Sequence, residues 1–190
     1  MYNENAKSTD LTVASVSAGV GSSELVQGGG VFHFKCYDKD GNLKWEESTH
    51  NLVVNQGLQD MNTKYFKGSS YTAAWYVGLV NNSPSPVYAA ADTLASHAGW
   101  NETSSYSGNR KAVTFGTATT ADPSVIDNSA SPASFSITGT VTVAGAFVAS
   151  VDTGTSGILF SVSSFQSPGA RSVVSGDTLT VTYSFSLDAA

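Results

Sequence analysis

"TLTVTYSFSL", Thr178 to Leu187, alternates without a break. Leu179, Val181, Tyr183, Phe185 and Leu187 fall on one side of an extended chain. Thr178, Thr180, Thr182, Ser184 and Ser186 fall on the other, because successive side chains of a strand point to opposite faces. A helix would scatter the same residues around its axis. The stretch is therefore a strand with one face in a core and the other in water or against a neighbour. Working upstream, "GILFSVSSF", "ASFSITGTVTVAGAFVAS" and "AVTFGTA" repeat the theme from Ala112 onward. Short strands at turn-separated spacing predict an all-β chain, a single β-sandwich that is jelly-roll-like, with an immunoglobulin-like sandwich as the alternative.

Further upstream, "VFHFKCYDKDGNLKWEE" reads as strand, tight turn, strand, with Asp and Gly supplied where the turn needs them. Ordered structure is expected to begin at Val31. Residues 31–190 then form the β-sandwich domain and residues 1–30 a flexible N-terminal arm, its end marked by the glycines Gly28 to Gly30. The arm is not uniformly polar: Leu11, Val13, Val16 and Val20 are spaced along it, and a segment of that kind can order on a partner surface. These four are the candidate contact residues.

One or two short helices are expected. In "THNLVVNQGLQDMNTKYF", Leu58, Met61 and Tyr65 recur at spacings of three and four, which gathers them on one face suited to capping an end of the sheet. In "DTLASHAG", Asp92 stands where an N-cap would stand and Gly99 where the helix would end.

The 190 residues carry nine Lys and Arg against fifteen Asp and Glu, a net charge of −6, with pI near 4.8. Such a chain has no basic face for a phosphate backbone, so nucleic acid is not an expected partner. Charged residues make up 13% of the chain, about half the usual share, so hydroxyls cover its strands. No apolar run approaches the roughly 20 residues that span a bilayer, and "MYNENAKSTDL" has neither the basic start nor the apolar stretch of a secretory signal. No membrane is expected as a partner, and synthesis in a cytoplasm is.

Asp92, His97 and Glu102 fall within "WYVGLVNNSPSPVYAAADTLASHAGWNE", Trp75 to Glu102, a grouping catalysis could use. General acid-base work needs a poised pair lining a cleft. An N-cap role for Asp92, a carbonyl partner for His97 and burial of Trp100 account for the same residues through packing. Cys36 is the sole cysteine and His33, three residues away on a strand, points to the opposite face, so the thiol has no activating base there. The Asp38, Asp40, Asn42 spacing opens like a calcium loop, but the twelfth position is Thr49 instead of glutamate. Neither a G-x-S-x-G elbow, an H-E-x-x-H, a phosphate loop nor a metal-spaced Cys or His pair occurs. The expectation is no enzyme, no catalytic or metal-ligating residue and no cofactor. The aromatics Trp45, Trp75, Trp100, Tyr71 and Tyr76 are expected in packing, although a carbohydrate-binding sandwich would use exposed ones.

Four stretches taken in order carry a resemblance: "HNLVVNQGLQDM", "WYVGLV" followed by "ADTLASHAGWNE", "ITGTVTVAGAFV", and "ARSVVSGDTLTVTYSFSL". Spread over most of Val31 to Leu187, they resemble a family of tailed-bacteriophage virion proteins that serve as head decoration, cement or fibre proteins. The resemblance implies a non-enzymatic β-sandwich, localised to the virion and made in the host cytoplasm, that binds the major capsid protein and stabilises the head shell. A homo-oligomer, dimer or trimer, would match the shell's symmetry positions. A tail fibre or receptor-binding protein is the second expectation; a shaft-like repeat, which such a protein would use, is missing from the 190 residues.

Overall fold

The structure, a computed structural model, describes residues 26–71, 74–166 and 169–189. Eleven strands and one helix lie among them: β1 Val26–Tyr37, β2 Leu43–Val53, α1 Asn55–Lys67, β3 Tyr76–Asn81, β4 Asn101–Thr103, β5 Lys111–Ala112, β6 Ser124–Asp127, β7 Ala133–Ser136, β8 Val141–Ala149, β9 Leu159–Ser163, β10 Arg171–Val173 and β11 Thr178–Ala189. Every pairing is antiparallel. The fold is all-β and sandwich-like.

One sheet is β2-β1-β11, extended by β7 on Thr178–Val181 and by β6 on Ser184–Leu187. The second is β9-β8-β3, with β4 and β5 on β3 and β10 on the start of β8. β2 belongs to both. Its residues Leu43 to His50 pair with β1, and Asn51–Val53 pair with β9, so the strand turns the corner that joins the two layers.

The alternation of β11 gives the core its wall: Leu179, Val181 and Tyr183 are buried, Phe185 is half-buried, and the Thr and Ser face is half-covered along its length. Phe32, Phe34 and Cys36 of β1, Phe135 of β7 and Val148 of β8 meet them between the sheets. β8 has no wet face. Val143 to Ala149 are all buried, with Ala146 and Val148 in this core and Ala144, Phe147 and Ala149 in a second one. The run "VAGAFVA" reads as continuous apolar sequence because both sides of it are covered.

A buried polar chain ties the layers together. Asn51 Oδ1 accepts from the Gly30 amide at 2.7 Å, Asn51 Nδ2 donates to the Tyr183 hydroxyl at 3.0 Å, and Ser161 Oγ donates to the same hydroxyl at 3.3 Å. Gly30 is part of this packing. A Cβ there would stand 2.8 Å from Ser184 O and 2.9 Å from Asn51 Nδ2. Strand β1 thus already includes the five residues before the expected Val31: Gly28 to Gly30 are strand, paired with Leu187 to Phe185, and glycine is required at position 30 by close approach.

The helix expectations need two corrections. α1 is present, but Leu58 and Tyr65 are 47% and 83% exposed. The helix docks on β9 through Gly57, where a Cβ would come within 2.4 Å of Phe160 O, and with Met61 against the main core. This contact turns Leu58 and Tyr65 outward. The second expected helix is absent: residues 92 to 99 form turns around a Thr93–Ser96 bridge. Gly99 sits against Val87, with the Val87 amide donating to Gly99 O at 2.8 Å, and so few residues cannot offset helix nucleation once the ends are pinned this way.

Candidate functional site

Within the stretch from Trp75 to Glu102, β3 leads into residues 82–100, which form turns over the outer face of the β9-β8-β3 sheet. Trp100 is 1% exposed and lies against Phe147 at 5.1 Å between ring centroids. His97 stacks on the indole at 4.0 Å with the rings 23° apart, and its Nδ1 lies 3.0 Å from Trp100 O. Asp92 Oδ2 accepts from Trp100 Nε1 at 3.0 Å and from the Ala89 amide at 3.0 Å. Asp92 is thus not a helix N-cap; it caps a turn and satisfies a buried indole. His97 and Asp92 both serve Trp100, and the arrangement holds a ring in place.

Glu102 is engaged elsewhere. Its Oε1 and Oε2 accept from Arg110 Nε at 2.9 Å and Nη2 at 2.7 Å, while Arg110 Nη1 donates to Val151 O at 3.1 Å. The guanidinium, its side chain 6% exposed, lies 5.1 Å over the Phe147 ring. Gly78 makes room for this, since a Cβ would stand 2.3 Å from Phe147 and 2.9 Å from Glu102 Oε1. Burial, and then the Glu102 carboxylate, push the Tyr106 phenol well above its ordinary range. Arg110 was not legible in the sequence as a partner of Glu102, because no helix or strand period relates the two positions.

Cys36 is buried on the core face of β1 while His33 is exposed on the other. The thiol donates to Asp177 Oδ2 at 3.8 Å, an oxygen that also accepts from Lys44 Nζ at 2.5 Å and the Val174 amide at 2.9 Å. Burial first, and the Asp177 charge second, push the thiol up to about 11. At the hairpin tip Asp38 Oδ1 accepts from the Asp40 and Asn42 amides at 2.9 and 2.8 Å, and Gly41 takes φ 85°. The Asn42 side-chain amide, which donates to both Asp38 oxygens, and after it these backbone amides hold the Asp38 carboxyl below its usual range. Its oxygens are occupied by N–H groups of the turn itself.

Trp45 and Trp75 pack against the main core and Trp100 in the second, with Tyr76 half-buried. Tyr71 departs from the expectation of packing, being 51% exposed. The helix also presents Tyr65 and Phe66, 83% and 78% exposed, with their rings edge to face at 4.9 Å. This pair gave no separate signal in sequence, since its neighbours predict a buried face. Leu11, Val13, Val16 and Val20 lie outside the described residues. Comparison with protein families, with curated proteins and with solved structures finds no match.

Proposed function

We propose that the protein is a bacteriophage head decoration or cement protein, a non-enzymatic β-sandwich that binds the major capsid protein and stabilises the shell from the virion surface. The observation that carries this reading is the aromatic pair Tyr65 and Phe66, held in water on the only helix among the described residues. The rest of the surface is rich in hydroxyls and poor in charge. Rigid aromatic side chains left exposed are what docking surfaces bury at their centres. The order of the stretches quoted above supports the same class, and the arm residues Leu11, Val13, Val16 and Val20 supply a second contact. A dimer or trimer places several such helices at one symmetry position of the shell. The protein is made in the host cytoplasm and resides in the virion.

The test is co-sedimentation of the purified protein with expanded, undecorated capsids of the phage that encodes it. Wild type is expected to pellet with capsids, and Tyr65→Ala with Phe66→Ala to lose at least tenfold in affinity while melting as wild type does. Failure of wild type to bind heads, with binding to tails instead, would favour the tail fibre or receptor-binding reading.

A further inference from the structure

Beside α1 lies a groove of about 200 Å³ between the helix and the β8–β9 connection, lined by Asp60, Lys64, Tyr71, Trp75, Ser150 and Ile158. Its aromatic wall is built in two steps. Trp75 is anchored against Phe160 at 5.3 Å between centroids, and its Nε1 donates to the Tyr71 hydroxyl at 2.7 Å. On the other side Lys64 Nζ donates to Ser70 O at 2.8 Å and stands 5.8 Å from the centre of the Tyr71 ring. Tyr71 is therefore fixed from both sides and still 51% exposed. A ring in this state has already lost the freedom that binding would otherwise cost it.

We infer that this groove binds a neutral saccharide, one pyranose ring or the end of a glycan chain. A pyranose has an apolar face of C–H groups and an equatorial rim of hydroxyls. The face requires an exposed aromatic ring, which Tyr71 supplies. The rim requires acceptors and donors with free capacity: the Asp60 carboxylate makes no hydrogen bond or ion pair among the described residues, and the Ser150 hydroxyl, which accepts from the Ile158 amide at 2.8 Å, keeps its O–H to donate into the groove. The volume lies below the roughly 300 to 1,000 Å³ of pockets for drug-sized ligands, which limits the occupant to one ring. Asp60 and Lys64 line the groove together and leave it without net charge, which suits a neutral occupant over an acidic or basic one. This inference does not rest on the capsid reading; it adds a ligand to a different face of the same helix.

The experiment is titration of the full chain with glucose, galactose, mannose, N-acetylglucosamine and N-acetylgalactosamine, followed by the Trp75 indole N–H signal in NMR. At least one sugar is expected to shift that signal saturably. Tyr71→Ala and Asp60→Ala should each weaken binding tenfold or more, whereas Tyr71→Phe, which keeps the ring, should stay within about threefold of wild type. Both groove variants should pellet with capsids as wild type does, which separates this outcome from that of the decoration reading. No saturable shift with any of the five sugars, or wild-type affinity in Tyr71→Ala, would overturn the inference. A melting curve for each variant guards against misfolding, and Asp60→Ala carries the test if Tyr71→Ala fails to fold, wild-type affinity in Asp60→Ala overturning the inference.

Discussion

Single residues in this protein take their roles from what is packed around them, and Cys36 and Asp92 make two predictions at that scale. The Cys36 thiol is held up to about 11 from 9.0 by burial and Asp177. Between those values the folded state keeps a proton that the unfolded chain has released, so stability is fully present below about pH 9 and falls as pH rises toward 11. The fall attributable to Cys36 is about 2 to 3 kcal/mol. Melting temperatures from pH 8 to 11 should therefore decline more steeply for wild type than for Cys36→Ala; parallel curves would show that the thiol is not the titrating group. The nearby Lys44 is raised first by its hydrogen bond to Asp177 and to a smaller extent by Cys36, so its ion pair is lost as pH climbs through that raised value in both proteins, and only the smaller Cys36 contribution differs between them. For Asp92 the partner is the buried Trp100 indole. Asp92→Ala strands that N–H, at a cost of about 1 to 3 kcal/mol, whereas Asp92→Asn keeps an acceptor and should lose less. Equal melting temperatures for Asp92→Ala and wild type would exclude the indole bond as a source of stability.

At the scale of elements, what was legible in the sequence was whatever local chemistry decides. The period of two in Thr178 to Leu187 gave β11 because alternation is a property of the strand itself, and "DKDGN" gave the hairpin because Asp38 and Gly41 satisfy the turn without outside help. The packing role of the Trp75 to Glu102 stretch was also legible, though its form was not. Asp92 meets an indole eight residues on and Val87 meets Gly99, contacts that replace the expected helix and follow no period. α1 shows the same limit. Leu58, Met61 and Tyr65 do define a helical face, but the helix is oriented by Gly57, whose missing Cβ lets it approach Phe160 O, and a glycine carries no apolar signal. The consequence is an inversion of the usual ranking of substitutions. Gly57→Ala, which adds one carbon at a position that favours alanine by about 1 kcal/mol on propensity alone, should destabilise by about 1 to 3 kcal/mol through overpacking. Leu58→Ala, in an exposed position, should change stability by about 0.5 kcal/mol or less. Chemical denaturation of the two variants checks this, and a Leu58→Ala loss larger than that of Gly57→Ala would mean that the helix docks on its apolar face after all.

For the whole molecule, the decisive departure from the sequence reading is that residues 26–30, expected in the arm, are strand. A run of three glycines ahead of a strand reads as a hinge, yet Gly28 to Gly30 complete β1 against β11, and the Gly30 amide is bonded to Asn51, which is bonded in turn to Tyr183 at the centre of the core. A truncation that keeps every described pair of β1 must therefore end before Val26. Deleting residues 1–24 should leave the melting temperature within a degree or two of wild type, because every pair of β1 with β11, from Val26 and Ala189 onward, is retained. Deleting residues 1–30 removes five of those pairs and the donor to Asn51 Oδ1. A buried acceptor left without its partner costs about 1 to 3 kcal/mol, and at about 2 to 4 °C per kcal/mol for a domain of this size the melting temperature should fall by several degrees. Thermal melts followed by circular dichroism distinguish the two truncations. Identical melts would return Gly28 to Gly30 to the role of a hinge. A fall of that size already in the shorter deletion would place part of residues 1–24 in contact with the sandwich itself, and capsid binding by each form would then have to be judged against its own stability.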